Sequence, residues 1–203
     1  FSGAQGEICL VPEKNGNLGK VVVGGSDPME VWDTGSLAMK LPKGKYVFSN
    51  LSKQSDLDKA ILGWALGSYS FGKYKKREPI QTKLYIPPKH DRRKIMETVS
   101  ATFLVRDLIN TPTEDMGPSD LEKASRALAR RHNAKIKVIK GDKLLSANFP
   151  AIHAIGRSSA DLPRIIDINW GNQKRPEVVL VGKGVCFDTG GLNIKPASGM
   201  KLM

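Results

Sequence analysis

The chain has 203 residues, of which 40% are hydrophobic and 26% are charged, a composition typical of a folded globular protein with a buried core. No apolar run approaches the roughly 20 residues that span a bilayer, so we expect no membrane segment. The formal net charge of +12 would suit acidic partners or nucleic acid, but the basic residues are scattered, and a solvated basic surface is the preferred interpretation.

Two features bear on where the protein works. The only cysteines are Cys9 and Cys186, too few for a disulfide framework, which indicates a reducing compartment such as the cytoplasm. The chain opens on Phe1 rather than Met, so we expect the N-terminus to have been trimmed or left out. Cys186 is interpreted as a small buried apolar residue, since no histidine or other base lies near it in sequence.

The first part of the chain alternates short apolar runs with turn residues. Residues 7–12 and 20–24 are candidate strands separated by the turn sequence 14–17, a pattern typical of a hairpin. Residues 45–50 form a third candidate strand. Residues 83–86 form a fourth, which the following two prolines end.

A helix is predicted after Ser55, which with Asp58 three positions later resembles a capping box. Its apolar residues recur at helical spacing: Leu57, Ile61 and Trp64. Gly63 and Gly67 would destabilise an isolated helix, so we expect this helix to pack closely against a neighbour.

The polar, proline-rich residues 87–91 are the predicted domain boundary, which divides the chain into domains 1–87 and 88–203. A long helix over residues 92–109 follows, and Asn110-Thr111-Pro112 ends it, because the residue before a proline avoids the helical region. Its apolar face carries Ile95, Val99 and Phe103.

The rest of the chain alternates helices and strands. Pro118 suits the first turn of a helix that ends near Asn133, and Asp142 is a candidate cap for a shorter one. Strands are predicted around residues 136–138, 164–170 and 177–181. The last run is apolar throughout, as expected of a central parallel strand. The alternation indicates an α/β fold.

A glycine-rich segment follows that last strand. Once a phosphate-binding loop is set aside, its chemistry is open to two interpretations. A phosphate-binding loop is disfavoured, because neither common glycine motif is present and Asp188 would repel a phosphate. A metal site is the first interpretation, with Asp188 as an oxygen ligand, Lys183 as a deprotonated amine ligand and Lys195 as a charged electrophile. A purely structural glycine turn is the second, and the residues alone leave both open.

Residues 182–200, GKGVCFDTGGLNIKPASGM, resemble the signature of the leucyl (cytosol) aminopeptidase family, the two-metal M17-type enzymes. Three further stretches are similar to family segments: GWALGSYSFGKYKK, RDLINTP, and FPAIHAIGRSS with the PRIIDINW that follows it. The resemblance covers most of residues 60–203. It implies an N-terminal α/β domain followed by the first part of an α/β/α catalytic domain with a mixed, largely parallel sheet.

The resemblance also implies roles for four residues. Lys183 would bind one metal ion, Asp188 would bridge two, Lys195 would polarise the scissile carbonyl, and Met203 would line the pocket for the first substrate side chain. The implied cofactors are two divalent ions, zinc or manganese, with magnesium as a further option. The implied protein is a cytoplasmic homohexamer that removes N-terminal residues, with leucine-type preference, from peptides.

Further metal ligands of the family, an Asp and an Asp-x-Glu-x-Arg cluster, have no counterpart in residues 1–203. We therefore expect the catalytic domain to be incomplete and the chain alone to be inactive. The alternative is a DNA-binding or structural module of the same family without catalysis. DNA is allowed by the net charge but is not the favoured partner.

Overall fold

The computed structural model describes residues 1–88, 91–172, 174–186 and 195–200. Contacts between Cα atoms divide the chain into two compact units, Phe1–Asn110 and Thr111–Met203. The first unit contains β1 (Ile8–Pro12), β2 (Leu18–Val23), a 3-10 helix (Val31–Thr34), α1 (Leu37–Lys40), β3 (Gly44–Tyr46), α2 (Gln54–Gly67), β4 (Thr82–Leu84) and α3 (Arg92–Asn110). The described part of the second contains a 3-10 turn (Thr113–Asp115), α4 (Pro118–Arg131), β5 (Lys135–Lys140), α5 (Lys143–Ser146), α6 (Pro150–Gly156), β6 (Arg164–Asn169) and α7 (Ala197–Met200).

Strands β1 and β2 form the predicted antiparallel hairpin, with Ile8 opposite Val23. The turn is held locally: the Glu13 amide donates to the Asn17 carbonyl at 2.7 Å, and the Asn17 amide donates to the side-chain oxygen of Asn15 at 2.9 Å. Gly16 adopts a φ of +82°, a conformation that glycine allows at little cost. The turn chemistry read from the sequence is therefore confirmed.

Strands β3 and β4 pair in parallel, with Gly44 opposite Thr82 and Tyr46 opposite Leu84. Both predicted strands are confirmed, although each is shorter than its apolar run. The hydroxyl of buried Thr82 donates to the Ala38 carbonyl at 2.7 Å, so the strand is also tied to α1.

Helix α2 supplies four of the nine described hydrophobic residues that are buried in the first unit. Trp64 is 6% exposed and packs against the Tyr46 and Phe48 rings at centroid distances of 5.8 and 6.2 Å. Gly63 and Gly67 face the segment around the Val31–Thr34 helix, and a β-carbon at either would overlap a backbone carbonyl oxygen there. The predicted close packing is confirmed, and its purpose is backbone contact.

The predicted capping box at Ser55 is wrong. The helix already begins at Gln54, after the extended residue Lys53, so Ser55 lies inside its first turn. The Ser55 hydroxyl lies 3.5 Å from a carboxylate oxygen of Asp56. Asp56 places a negative charge in the first turn, which stabilises the positive end of the helix dipole.

Within the first unit, helix α3 packs its predicted apolar face against α2. Ile95 and Val99 are buried in one cluster with Ile61 and Leu66 of α2. Near its C-terminal end, the Arg106 guanidinium donates to the Leu66 carbonyl at 2.7 Å. Packing thus groups this helix with the first unit, and the predicted domain boundary after residue 87 stays a prediction. None of the described helices combines the length and apolar character needed to cross a membrane.

In the second unit, α4 starts at Pro118 as predicted, and β5 pairs with β6 in antiparallel register, Lys135 opposite Asn169. Helix α5 follows Asp142, but the Asp142 side chain makes no capping hydrogen bond. Its carboxylate instead lies 3.1 Å from Nε2 of His153. The described part of the second unit is therefore an α/β arrangement around the two-stranded β5–β6 sheet.

The predicted strand at residues 177–181 is not formed. Leu180 and Val181 are 91% and 93% exposed, and the run has no regular structure. A buried parallel strand needs hydrogen-bonded neighbours and helices over its faces. Here β5 and β6 bond to each other, and no other strand of the described chain pairs with this run.

Candidate active site

The structure describes two of the four predicted site residues. Lys183 is exposed in the irregular segment that follows residue 176, and Lys195 is half-buried just before α7. Asp188 and Met203 lie outside the described residues. Because two of the four lie outside the described residues, the assignments of all four stay predictions.

The local structure after Lys195 is a single helical turn. The Pro196 carbonyl accepts hydrogen bonds from the amides of Gly199 and Met200, at 2.8 and 3.1 Å. The fixed φ of proline suits the first turn of a helix, which explains why the chain coils immediately after Lys195. Lys195 therefore lies two residues before α7, a helical turn that is held by backbone hydrogen bonds.

The start of the glycine-rich segment lies against α4. A β-carbon at Gly184 would lie 3.0 Å from a methyl group of Leu121, so the backbone approaches this helix closely. The neighbouring Cys186 thiol is half-buried, and its pKa is raised by burial and then by the negative charge of Asp161. A thiol held protonated is a weak nucleophile, which agrees with the structural interpretation of Cys186.

A network of charged side chains joins α4 to the start of β6. The Arg164 guanidinium donates through Nη1 to Glu122 and through Nη2 to Asp161, each at 2.5 Å. The other Asp161 oxygen accepts the backbone amide and the hydroxyl of Ser119, at 2.7 and 2.8 Å. Asp161 thereby satisfies an amide at the start of α4 that has no partner inside the helix.

Both carboxylates of this network have lowered pKa values. For Glu122 the main cause is the hydrogen bond from Arg126, which burial opposes and the hydrogen bond from Arg164 reinforces. For Asp161 burial is the largest influence and acts to raise the pKa, but the hydrogen bonds from Ser119 and the charge of Arg164 outweigh it. Both groups are therefore held as carboxylates at neutral pH.

Sequence reasoning missed this network. The spacing of Glu122 and Arg126, four residues apart on a helix, was a visible local signal for one ion pair. Arg164 lies 42 residues from Glu122, so no local pattern could pair them.

The donor chemistry of the predicted metal site fits a divalent ion in type, because a carboxylate from Asp188 and a deprotonated amine from Lys183 are both possible ligands. Among the residues that the structure describes, no group of three or more His, Cys, Asp or Glu side chains could hold a metal ion. The metal site thus depends on Asp188, which lies outside the described residues.

Comparison with known proteins identifies the family. The catalytic domain of the cytosol aminopeptidase family matches residues 103–203, and the N-terminal domain of M17 aminopeptidases matches residues 1–87. A probable cytosol aminopeptidase from Corynebacterium efficiens is 30% identical over 99% of this chain and 43% of its own length. One from a Geobacter species is 34% identical over 82% of this chain and 38% of its own length.

Solved structures agree. The cytosol aminopeptidase of Coxiella burnetii is 44% identical and superimposes with a TM-score of 0.92 over 100% of this chain and 44% of that one. The bottromycin maturation enzyme BotP in complex with Mn shares the fold, with a TM-score of 0.76 at 24% identity over 100% of this chain and 48% of that one. The fold and the matched segments define an aminopeptidase architecture. The chain belongs to the cytosol aminopeptidase family, and it spans less than half the length of these relatives.

Proposed function

We propose that these 203 residues form part of a metal-dependent aminopeptidase that removes N-terminal residues from peptides, with leucine-type preference. The observation that carries this proposal is the match of both family domains in their expected order, over residues 1–87 and 103–203. The structural agreement with the Coxiella burnetii enzyme supports it.

The proposed cofactors are two divalent ions, zinc or manganese, with magnesium as a further option. The Mn in the BotP structure supports manganese as a candidate. Lys183 and Asp188 are the proposed ligands. When bound, such ions act as Lewis acids on the scissile carbonyl group.

Lys195 is the proposed catalytic residue of this chain. An ammonium group placed beside the carbonyl oxygen stabilises the negative charge that develops there during hydrolysis. Lys195 lies just before the helical turn of α7, whose backbone hydrogen bonds begin at the Pro196 carbonyl. Met203 is proposed to line an apolar pocket for the first substrate side chain.

The test uses the longest reading frame that contains these residues, assayed for release of a leucine arylamide with added manganese or zinc. We expect Lys195→Ala to reduce kcat by at least about a hundredfold, the scale of losing a charge-stabilising group, while the bound metal content is unchanged. Lys174→Ala, which removes an exposed lysine of the same unit, is the matched control and should keep full activity. Full activity of Lys195→Ala would remove Lys195 from its role.

We further propose that residues 1–203 alone do not turn over substrate, because they contain only part of the family's ligand set. Metal-dependent hydrolysis by the purified 203-residue chain would overturn this.

A homohexamer in the cytoplasm is the proposed state of the active protein, and light scattering after size-exclusion chromatography measures its mass. The DNA-binding alternative rests on the net charge of +12, and a gel shift that weakens steeply with salt would support it.

A further inference from the structure

A cleft of about 250 Å³ lies along α4, and we call it the α4 cleft. Six residues line it: Ser119, Glu122, Lys123, Arg126, Arg130 and Arg164. Four of these side chains are basic and one is acidic, so the lining carries a formal charge of +3.

The single carboxylate of the lining is already saturated. One Glu122 oxygen accepts from Arg126 at 2.7 Å and the other accepts from Arg164 at 2.5 Å. The exposed side chains of Lys123 and Arg130 have no carboxylate partner within the described ranges. The positive charges of Lys123 and Arg130 are therefore not neutralised by ion pairs within the described residues, whereas Arg126 and Arg164 are paired with Glu122 and Asp161.

The three basic residues of α4 form a row. Lys123, Arg126 and Arg130 are spaced by three and four positions, so their side chains project from one face of the helix. The row is about 10 Å long, at a rise of about 1.5 Å per residue. Like charges at this spacing repel each other and destabilise a helix, and a bound anion would remove that repulsion.

The nature of the groups selects the anion. Guanidinium groups bind phosphate oxygens through paired hydrogen bonds, and a lysine adds a point charge. A single phosphate would reach only part of a row of this length. We propose that the α4 cleft binds a small anion with two linked phosphate groups, contacted by Lys123, Arg126 and Arg130.

The test is calorimetric titration of the 203-residue chain at low ionic strength with inorganic pyrophosphate, ADP and orthophosphate. We expect saturable one-to-one binding of pyrophosphate, with orthophosphate weaker. Arg130→Gln should weaken pyrophosphate at least about tenfold, since it removes a charge-assisted contact. Tighter binding of ADP than of pyrophosphate would identify a nucleoside diphosphate as the source of the anion, and the reverse order would identify the free anion.

Arg131→Gln is the matched control, because Arg131 is exposed on the same helix but does not line the cleft. It should change the affinity by less than about twofold, as expected of a charge outside the contact. Unchanged far-UV circular dichroism would show that both variants are folded. The proposal fails if pyrophosphate binding does not saturate, if orthophosphate binds as tightly as pyrophosphate, or if Arg131→Gln weakens pyrophosphate as much as Arg130→Gln.

Discussion

Gly63 lies in the middle of α2 at a point where the structure has no room for a β-carbon. A methyl group there would overlap the carbonyl oxygen of Val31 and lie 2.5 Å from the hydroxyl of Thr34. That hydroxyl already donates to the Ala60 carbonyl at 2.8 Å, so it is not free to move aside. Glycine lowers the intrinsic stability of the helix at this position, but it allows the backbone of α2 to contact the backbone at Val31 directly.

We therefore predict that Gly63→Ala destabilises the protein by about 1–3 kcal/mol, the usual cost of overpacking. In an exposed helix the same change would stabilise by about 1 kcal/mol, so the sign of the effect is diagnostic. Urea unfolding followed by circular dichroism measures it. Gly72→Ala is the control, because the nearest atom to its new methyl group would be a carbonyl oxygen 3.9 Å away. A stabilised Gly63→Ala variant would show that the contact is looser than described.

At the scale of elements, Asp161 is one of two carboxylates that join α4 to the start of β6. Asp161 accepts two hydrogen bonds from Ser119 and one from Arg164. Its pKa is lowered below the ordinary value of 3.8. A lowered folded-state pKa contributes stability that is present above the unfolded-state pKa and is lost as the pH falls through the folded-state pKa.

We predict that Asp161→Asn lowers the urea midpoint of the second unit at pH 7. The difference from the unsubstituted chain should shrink as the pH falls below about 3.8, the ordinary pKa of the aspartate, and should be lost once the pH passes the lower folded-state pKa, where Asp161 is protonated in both states. Asp167→Asn, on an exposed position of β6, should have little effect at either pH. A difference that stays constant with pH would mean that the charge of Asp161 does not stabilise the join.

At the scale of the whole molecule, the two units differ in how much apolar surface they bury. Eleven described hydrophobic residues are buried, and nine of them belong to the first unit. The second unit contributes Ala129 and Leu144 and exposes the run at residues 177–181. Because apolar burial is the main driving force of folding, the first unit should be the more stable.

Hydrogen exchange of the intact chain tests this inequality. Helices α2 and α4 both have fourteen residues, so they offer a matched comparison of backbone amides. We predict that amides in the middle of α2 exchange more slowly than those in the middle of α4, since protection follows the stability of the surrounding unit. Equal or slower exchange in α4 would contradict the difference in core size.

The features predictable from the sequence were those set by near neighbours. The hairpin turn at Asn15–Asn17 and the helix start at Pro118 depend on local backbone preferences, and both are confirmed. The run at residues 177–181 and the pairing of Arg164 depend on partners far along the chain, which no local pattern specifies. For the candidate site, a sequence motif predicted the residue types and the family. The arrangement of the ligands in space depends on the other residues of the site, and the motif does not specify it.

The tryptophans have a spectroscopic consequence. Trp64 is enclosed by Tyr46 and Phe48, whereas Trp170 is 74% exposed in the second unit and donates its indole N–H to the His132 carbonyl at 3.1 Å. The first unit also contains Trp32, which is 58% exposed. Replacing Trp32 with phenylalanine would leave one indole per unit, a shielded blue emitter and a quenchable red one. Emission spectra of the intact chain, recorded as denaturant is added, would then show which unit loses its structure first.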